Sequence, residues 1–345
     1  MTLGSGPSGS GSSLRQAVRA ATVVLAEAGI DSAEFDAVSL AAHLLATTTG
    51  EVRKLMVLGA PAPDGLDDLV AERAQRVPLQ HLTGKAGFRG LELSVGPGVF
   101  VPRFETELVA GLAIAHLLHG SRQFARHNPT DLGSLPTQSH GSRQFVRGVS
   151  TELVGNSRKL PRSAPVPRTN CLDRRVVVVD LCTGSGAIAL AIKDEVGGAE
   201  VHGVELSDLA HAWALRNRDD LGLDVDLRLG DATLAFPDLE GRVDVVVSNP
   251  PYIPVGAVPN DPEVRDHDPE VALYGGSDDG LRIPLEVAAR ASVLLRAGGF
   301  LVMEHADVQG KSLVSALRAT GLWLDVQDHA DLNERPRAVT AFRAA

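Results

Sequence analysis

The run Val176-Val-Val-Val-Asp180-Leu-Cys-Thr-Gly184-Ser-Gly186-Ala-Ile-Ala189 decides the fold. Its valines read as a short strand, and Asp180 ends it. Gly184 and Gly186 then allow a tight turn and a close backbone approach before a helix begins. The run formally matches the Gly-x-Gly-x-x-Ala turn of nucleotide-binding sheets. Downstream, strand and helix patterns alternate. Short strands are predicted over Glu200–Glu205, Asp224–Leu229, Val243–Ser248 and Phe300–His305. Helices are predicted over Gly186–Asp194, Leu209–Asp220, Leu281–Leu295 and Gly310–Thr320. This order argues a doubly wound α/β fold with a parallel sheet, whose ligand sits at the carboxyl ends of the strands. Leu324–Gln327 and Val339–Arg343 lack a helical pattern between them and read as a terminal antiparallel pair.

The acidic strand ends narrow the ligand. Glu205 closes the second strand and is placed to accept from both ribose hydroxyls, which suits a dinucleotide and S-adenosylmethionine equally. Three details favour S-adenosylmethionine. Asp180 could meet an ammonium group but would repel a pyrophosphate. Asp231, beside Ala232 after the third strand, could accept from an adenine amine. The fourth strand ends in Asn249-Pro-Pro-Tyr252, for which hydride transfer has no evident use. Cys182 reads as small packing, since no His or Lys lies near it in sequence to activate a thiolate.

Asn249-Pro250-Pro251-Tyr252 is stiff, because proline fixes φ and lacks an N–H. The Asn249 side-chain carbonyl and the Pro250 backbone carbonyl would be two adjacent acceptors, and an NH2 group carries two donors. Tyr252 offers a flat face for a planar group. The expectation is a pocket for a planar amine, either an amide or the exocyclic amine of a base. Bonding both hydrogens would favour a pyramidal nitrogen with its lone pair aimed at a sulfonium methyl.

The rest of the chain is of a different kind. Residues 1–13 are Gly/Ser-rich and read as a flexible tail. From Leu14 to about Leu82, apolar residues recur at helical spacing, with Gly29, Gly50 and Pro61-Ala-Pro-Asp-Gly65 as breaks; Asp31 or Ser32 is the candidate cap of a second helix, and Leu66–Val77 would be the last helix. Residues 14–86 therefore read as a helical domain. A β-hairpin over Gly87–Val101 and a helix over Thr106–Leu118 make up residues 87–118. Residues 119–173 are a basic insert in which His119–Arg126 recurs as His140–Arg147, 21 positions on. Gly120–Arg175 holds ten Arg/Lys against three Asp/Glu, and two copies are too few for a solenoid, so a surface loop is expected. Residues 174–345 would form the catalytic domain.

Composition excludes several classes. A net charge of −10 argues against a nonspecific nucleic-acid binder. The two cysteines, Cys171 and Cys182, form no disulfide framework and suit a reducing cytoplasm. No zinc spacing is present, and no apolar run approaches the roughly 18–20 residues of a membrane span.

Taken together, Pro78-Leu-Gln-His-Leu-Thr-Gly84, Val101-Pro-Arg-Phe-Glu-Thr-Glu107, Asp180–Leu190, Ser248-Asn-Pro-Pro-Tyr-Ile253, Gly298-Gly-Phe-Leu-Val-Met-Glu-His305 and Asn333-Glu-Arg335 resemble the HemK/PrmC family. Members of that family are protein-(glutamine-N5) methyltransferases acting on peptide chain release factors. The resemblance implies a helical domain that docks the factor and a seven-stranded Rossmann-like class I methyltransferase domain. Its substrate would be the glutamine of a Gly-Gly-Gln loop. It places S-adenosylmethionine against Cys182, Thr183, Gly184, Ser185, Gly186, Glu205, Asp231, Ala232 and Asn249, and the glutamine against Asn249, Pro250, Pro251 and Tyr252. Arg103, Glu105 and Glu107 fall in a segment that borders the cofactor in this family. Departures are Phe104, where a second proline is usual; Glu205, where Asp is usual; Pro336, where an aromatic or small residue is usual; and the insert itself. A monomer is expected. The competing readings are an adenine-N6 methyltransferase of DNA or RNA and a noncatalytic S-adenosylmethionine-binding protein. His305, at a strand end, is expected to be structural.

Overall fold

The alternation of apolar runs and helical stretches becomes a seven-stranded sheet in the computed structural model, which describes residues 12–119 and 175–345. Expectations for the duplicated insert and for most of the tail lie outside these residues. Ser13, expected to close the tail, instead caps the first helix. Its hydroxyl accepts from Gln16 N, while Gln16 Oε1 accepts from Ser13 N. Such a reciprocal cap is worth about 1 kcal/mol.

Five helices follow: α1 Leu14–Glu27, α2 Ala33–Leu44, α3 Thr49–Leu58, α4 Leu66–Ala74 and α5 Leu79–Thr83. The helix expected over Leu66–Val77 ends early, and Pro78 starts α5 as a separate turn. Ser32 is the N-cap of α2, yet its hydroxyl donates to Asp36 Oδ1 and leaves the backbone N–H groups alone. Leu14, Val18, Leu25, Val38, Leu40, Val52 and Val70 form the core of this bundle. A hairpin of β1 Lys85–Phe88 and β2 Leu91–Ser94 leads to α6 Thr106–His119.

The large domain holds β3 Val177–Leu181, α7 Ala187–Glu195, β4 Glu200–Glu205, α8 Asp208–Leu221, β5 Val225–Leu229, β6 Val243–Ser248, α9 Pro262–His267, α10 Arg282–Leu294, β7 Leu295–Glu304, α11 Gly310–Ala319, β8 Trp323–Ala330 and β9 Pro336–Arg343. The strand order is β5-β4-β3-β6-β7-β9-β8. All neighbours are parallel except the two pairs that involve β9. The expected antiparallel pair is therefore present, with its second strand inserted between β7 and β8. Alternate residues serve opposite layers. Val178, Val245, Val247, Phe300 and Val302 pack with α6 and α7, whereas Val179, Leu181, Val246, Leu301 and Met303 pack with α10 and α11.

The order reverses between β3 and β6, so their carboxyl ends open a crevice. Leu181 pairs with Ser248, whose hydroxyl donates to the Leu181 carbonyl at 2.6 Å. Cys182 and Asn249 are therefore next to each other, and Leu181↔Val204 brings Glu205 alongside. Asn217 on α8 accepts from Ser94 N and donates to the carbonyls of Ser94 and Ser185, which ties the hairpin to the Gly-rich loop.

Candidate active site

A cavity of about 620 Å³ fills this crevice. Cys182, Thr183, Gly184 and Ser185 line one wall, Glu205, Asp231 and Ala232 another, and Asn249, Pro251 and Tyr252 a third. Arg103, Glu105 and Thr106 complete the rim. Three residues placed in the site by sequence do not line it: Asp180, Gly186 and Pro250.

Asp180 has a different task from the one expected. Its side chain is fully buried beneath the loop, where Oδ2 accepts from the Thr183 hydroxyl at 2.6 Å and from Ala189 N at 3.2 Å. Gly186, the N-cap of α7, has no side chain to hold the first-turn N–H groups, and Asp180 holds one from the strand below. Burial raises its pKa to about 7. Oδ2 is thus committed beneath the turn, while Oδ1 is buried without a hydrogen-bond partner among the described residues. Cys182 takes φ +66°, a strained value for a residue with a side chain. Burial, with Glu205 and Asp180 nearby, pushes its thiol pKa up, so it is no nucleophile.

Glu205 grips the loop. Oε2 accepts from Gly184 N at 2.8 Å and Oε1 from Ser207 N at 2.9 Å. Each oxygen keeps a further lone pair toward the cavity, as two adjacent hydroxyls require. Asp231 Oδ1 accepts from the N–H and hydroxyl of Thr233, which fixes its carboxylate at the end of the third strand's loop. Six carboxylates and three guanidinium groups line the cavity. That balance fits a cationic nucleoside and disfavours a pyrophosphate, and the volume lies within the usual range of small-molecule sites. A Glu205→Gln protein is expected to bind S-adenosylmethionine about 10–100-fold more weakly, because a charged acceptor is lost and an NH2 is turned toward Gly184 N or Ser207 N. Isothermal titration checks this, and an unchanged Kd would remove Glu205 from the cofactor site.

At the acceptor end, Asn249 Nδ2 donates to Thr106 Oγ at 3.1 Å, and no described residue donates to Asn249 Oδ1 or to the Pro250 carbonyl. Tyr252 donates its hydroxyl to Glu304 Oε1 at 3.1 Å, and burial, then Glu304, push the phenol pKa up. The Tyr252 carbonyl accepts from Gln309 Nε2 at 2.8 Å, while Ile253 exchanges backbone bonds with Leu273 and Gly275. Gly280, at φ +72°, presses on this carbonyl so closely that a Cβ would collide with it and with Gln309. Gly280→Ala is expected to cost about 1–3 kcal/mol and to dislodge Tyr252. Thermal unfolding alongside turnover checks it, and wild-type values in both would mean the loop does not brace the motif.

Other expected residues scatter. Arg103 lines the cavity and bonds Asp268 at 2.9 Å, and Glu105 lines it too. Glu107 turns away to accept from Arg89 N. His305 is fully buried between the Ala306 carbonyl and Asp328, which is a structural placement. Asn333 lies in the β8–β9 turn, where its N–H bonds Asp331. Phe104 is 66% exposed, and Pro336 opens β9. Sequence reading passed over Thr106, Glu304 and Arg337, all of which line the cavity. A carboxylate closing the apolar run Phe300–Met303 was the available signal for Glu304.

Sheet order, crevice and donor set define a Rossmann-like class I methyltransferase that uses S-adenosylmethionine. Residues 178–258 match a methyltransferase domain, and residues 16–84 match the PrmC N-terminal domain. The chain is 43% identical to the release factor glutamine methyltransferase of Streptomyces coelicolor, covering 95% of this chain and 97% of that one. It is 40% identical to the enzyme of that name from Mycolicibacterium smegmatis, over 96% and 98%. A 4-amino-L-phenylalanine/4-methylamino-L-phenylalanine methyltransferase of Streptomyces pristinaespiralis is 34% identical over 93% and 92%. The chain belongs to the PrmC family of release factor glutamine methyltransferases.

Proposed function

We propose that this protein methylates the side-chain amide nitrogen of the glutamine in the Gly-Gly-Gln motif of peptide chain release factors. The observation that carries the reading is the Asn249 amide. Its NH2 is already engaged by Thr106, so its carbonyl is left for an incoming N–H beside the unbonded Pro250 carbonyl.

S-adenosylmethionine supplies an electrophilic methyl carbon on a sulfonium. Cys182–Ser185, Glu205, Asp231 and Ala232 would hold it. The protein's part is then to position and polarise the amide. A carboxamide nitrogen is a poor nucleophile because its lone pair is delocalised into the carbonyl. Acceptance of both N–H bonds by Asn249 Oδ1 and the Pro250 carbonyl favours a pyramidal nitrogen, and these bonds strengthen as positive charge develops on it. Tyr252 stacks on the amide plane, and its orientation is held by Glu304. Alignment of nitrogen and methyl supplies much of the remaining acceleration.

The relatives named above bear the names of a release factor glutamine enzyme and of an aromatic amino acid amine enzyme; neither name describes a nucleic-acid base. The net charge of −10 points the same way, and a translation-linked substrate would place the protein in the cytoplasm. No helix among the described residues is long and apolar enough to cross a membrane. The test is transfer of labelled methyl to a purified release factor, with a factor carrying Ala in place of the motif glutamine as control and 4-aminophenylalanine as a second acceptor. Label in the glutamine is expected. Label in the control factor, or only in the free amine, would overturn the reading.

A further inference from the structure

Asn249 presents the acceptor nitrogen with either a carbonyl or an NH2, depending on which way its amide is turned. Only the carbonyl is useful. Nothing in the Asn249 side chain itself chooses between them, so the choice must come from its neighbour, the Thr106 hydroxyl. That hydroxyl accepts from Asn249 Nδ2 and has no acceptor of its own for its hydrogen among the described residues. Glu304, at the end of β7, lines the same cavity as Thr106. Oε1 of Glu304 is taken by the Tyr252 hydroxyl, while Oε2 is buried and has no donor. One hydrogen and one acceptor are thus left over on residues that line the same cavity, and the Thr106 hydroxyl lowers the Glu304 pKa as a donor to it would.

We propose that Glu304, acting through Thr106, sets the direction of the Asn249 amide. Glu304 Oε2 takes the Thr106 hydrogen; Thr106 Oγ is then left only to accept, and the hydrogen it accepts is that of Asn249 Nδ2. The chain of donors therefore runs from acceptor amide to Asn249, to Thr106, to Glu304, and Oδ1 faces the acceptor. Glu304 is a positioning residue for both Asn249 and Tyr252. This rests on the reading that an N–H donor is methylated at Asn249.

The direction of the relay depends on the carboxyl being an acceptor. Protonated Glu304 would carry a hydrogen on Oε2 and donate it to Thr106 Oγ. The Thr106 hydrogen would then turn to Asn249 Oδ1, and the amide would reverse and offer NH2 to NH2. Burial raises the Glu304 pKa to about 7, against the lowering effects of Thr106, Arg337 on β9 and Tyr252, while Glu105, just before α6, adds to the rise. The ionised, productive form is present above that value and is lost as pH falls through it.

The experiment compares wild type with Glu304→Gln, Thr106→Val and the double variant. Turnover on the release factor, cofactor Kd and the 15N side-chain amide signal of Asn249 are followed across pH. Glu304→Gln is expected to lower kcat about 100-fold, with cofactor Kd within about threefold. Thr106→Val should lower it about tenfold, and the double variant should lose little more than Glu304→Gln alone, since the relay is already broken. The Asn249 signal should titrate near pH 7 in wild type and in neither single variant. Strictly additive losses, or a wild-type Asn249 signal that does not titrate, would overturn the relay. A wild type that methylates no glutamine would instead fail the functional reading, while the Asn249 titration would still decide the relay.

Discussion

An Asn249→Ala protein is expected to bind S-adenosylmethionine within about tenfold of wild type, a difference of about 1.4 kcal/mol, and to lose most of its turnover. Removal of one preorganised partner of a developing charge typically costs 10²–10³ in rate. Here the loss falls on the chemical step, because Oδ1 meets the acceptor nitrogen and grows in value as that nitrogen becomes positive. The cavity walls formed by Cys182–Ser185 and Glu205 are untouched by the change. Single-turnover methyl transfer together with cofactor titration separates the two quantities. Near-normal turnover would falsify the assignment of Asn249 as the group that grips the amide.

The second large effect is on stability. Arg73 is 3% exposed, and its guanidinium bonds Asp36 at 2.7 Å, Glu263 at 2.7 Å and the Val77 carbonyl at 3.1 Å. Asp36 is itself buried in α2, whereas Glu263 belongs to α9, just beyond the Asn-Pro-Pro-Tyr segment. Arg73→Met would leave the buried Asp36 carboxylate without its cation, while Glu263 keeps Arg76 at 3.3 Å. Breaking such a buried set from one side costs about 3–5 kcal/mol. The same residue latches the helical bundle to the stretch that supplies Asp261 and Val264 to the cavity, so affinity for a protein acceptor should fall as well. Urea unfolding is the measurement. Adding Asp36→Asn to Arg73→Met should recover much of the loss, since it removes the stranded charge. A midpoint unchanged by Arg73→Met would show that the latch carries no weight.

Those two cases mark what could be read from the chain and what could not. Asn249 announced itself because a polar residue and two prolines at the end of an apolar strand are poor secondary structure. The strands were legible for a similar reason: Glu200–Glu205 and Val243–Ser248 fall where their apolar runs do. Arg73 gave a fainter signal, as the third member of the inward series Leu66, Val70, Arg73, but its partner lies 190 positions away and no local pattern points to it. Thr106 and Asn249 are 143 positions apart. The helix-capping task of Asp180 was not legible, because a carboxylate before a glycine turn can face the ligand or cap the helix behind the turn, and only the burial of the strand end shows the second. The position of β9 was also beyond reach, since two antiparallel strands joined by a short turn show no preference for which of them meets β7.

That position has a consequence for how the protein is made. Of the sheet's strands, the one that emerges last from the ribosome is an interior one. β7 keeps an open edge while β8 is being synthesised, and β8 has no sheet to join until β9 has slid between them. Open strand edges invite pairing with other chains. Glu304 pairs across this seam with Ala338, and Arg337 enters the cavity from the same strand. The part of the crevice wall that Arg337 supplies is therefore the last to be synthesised. A nascent chain can supply its Gly-rich loop and the Tyr252 partners Glu304 and Gln309 early, but Arg337 reaches the cavity only with the last strand. A chain stalled before β9 would display a cleft that lacks Arg337.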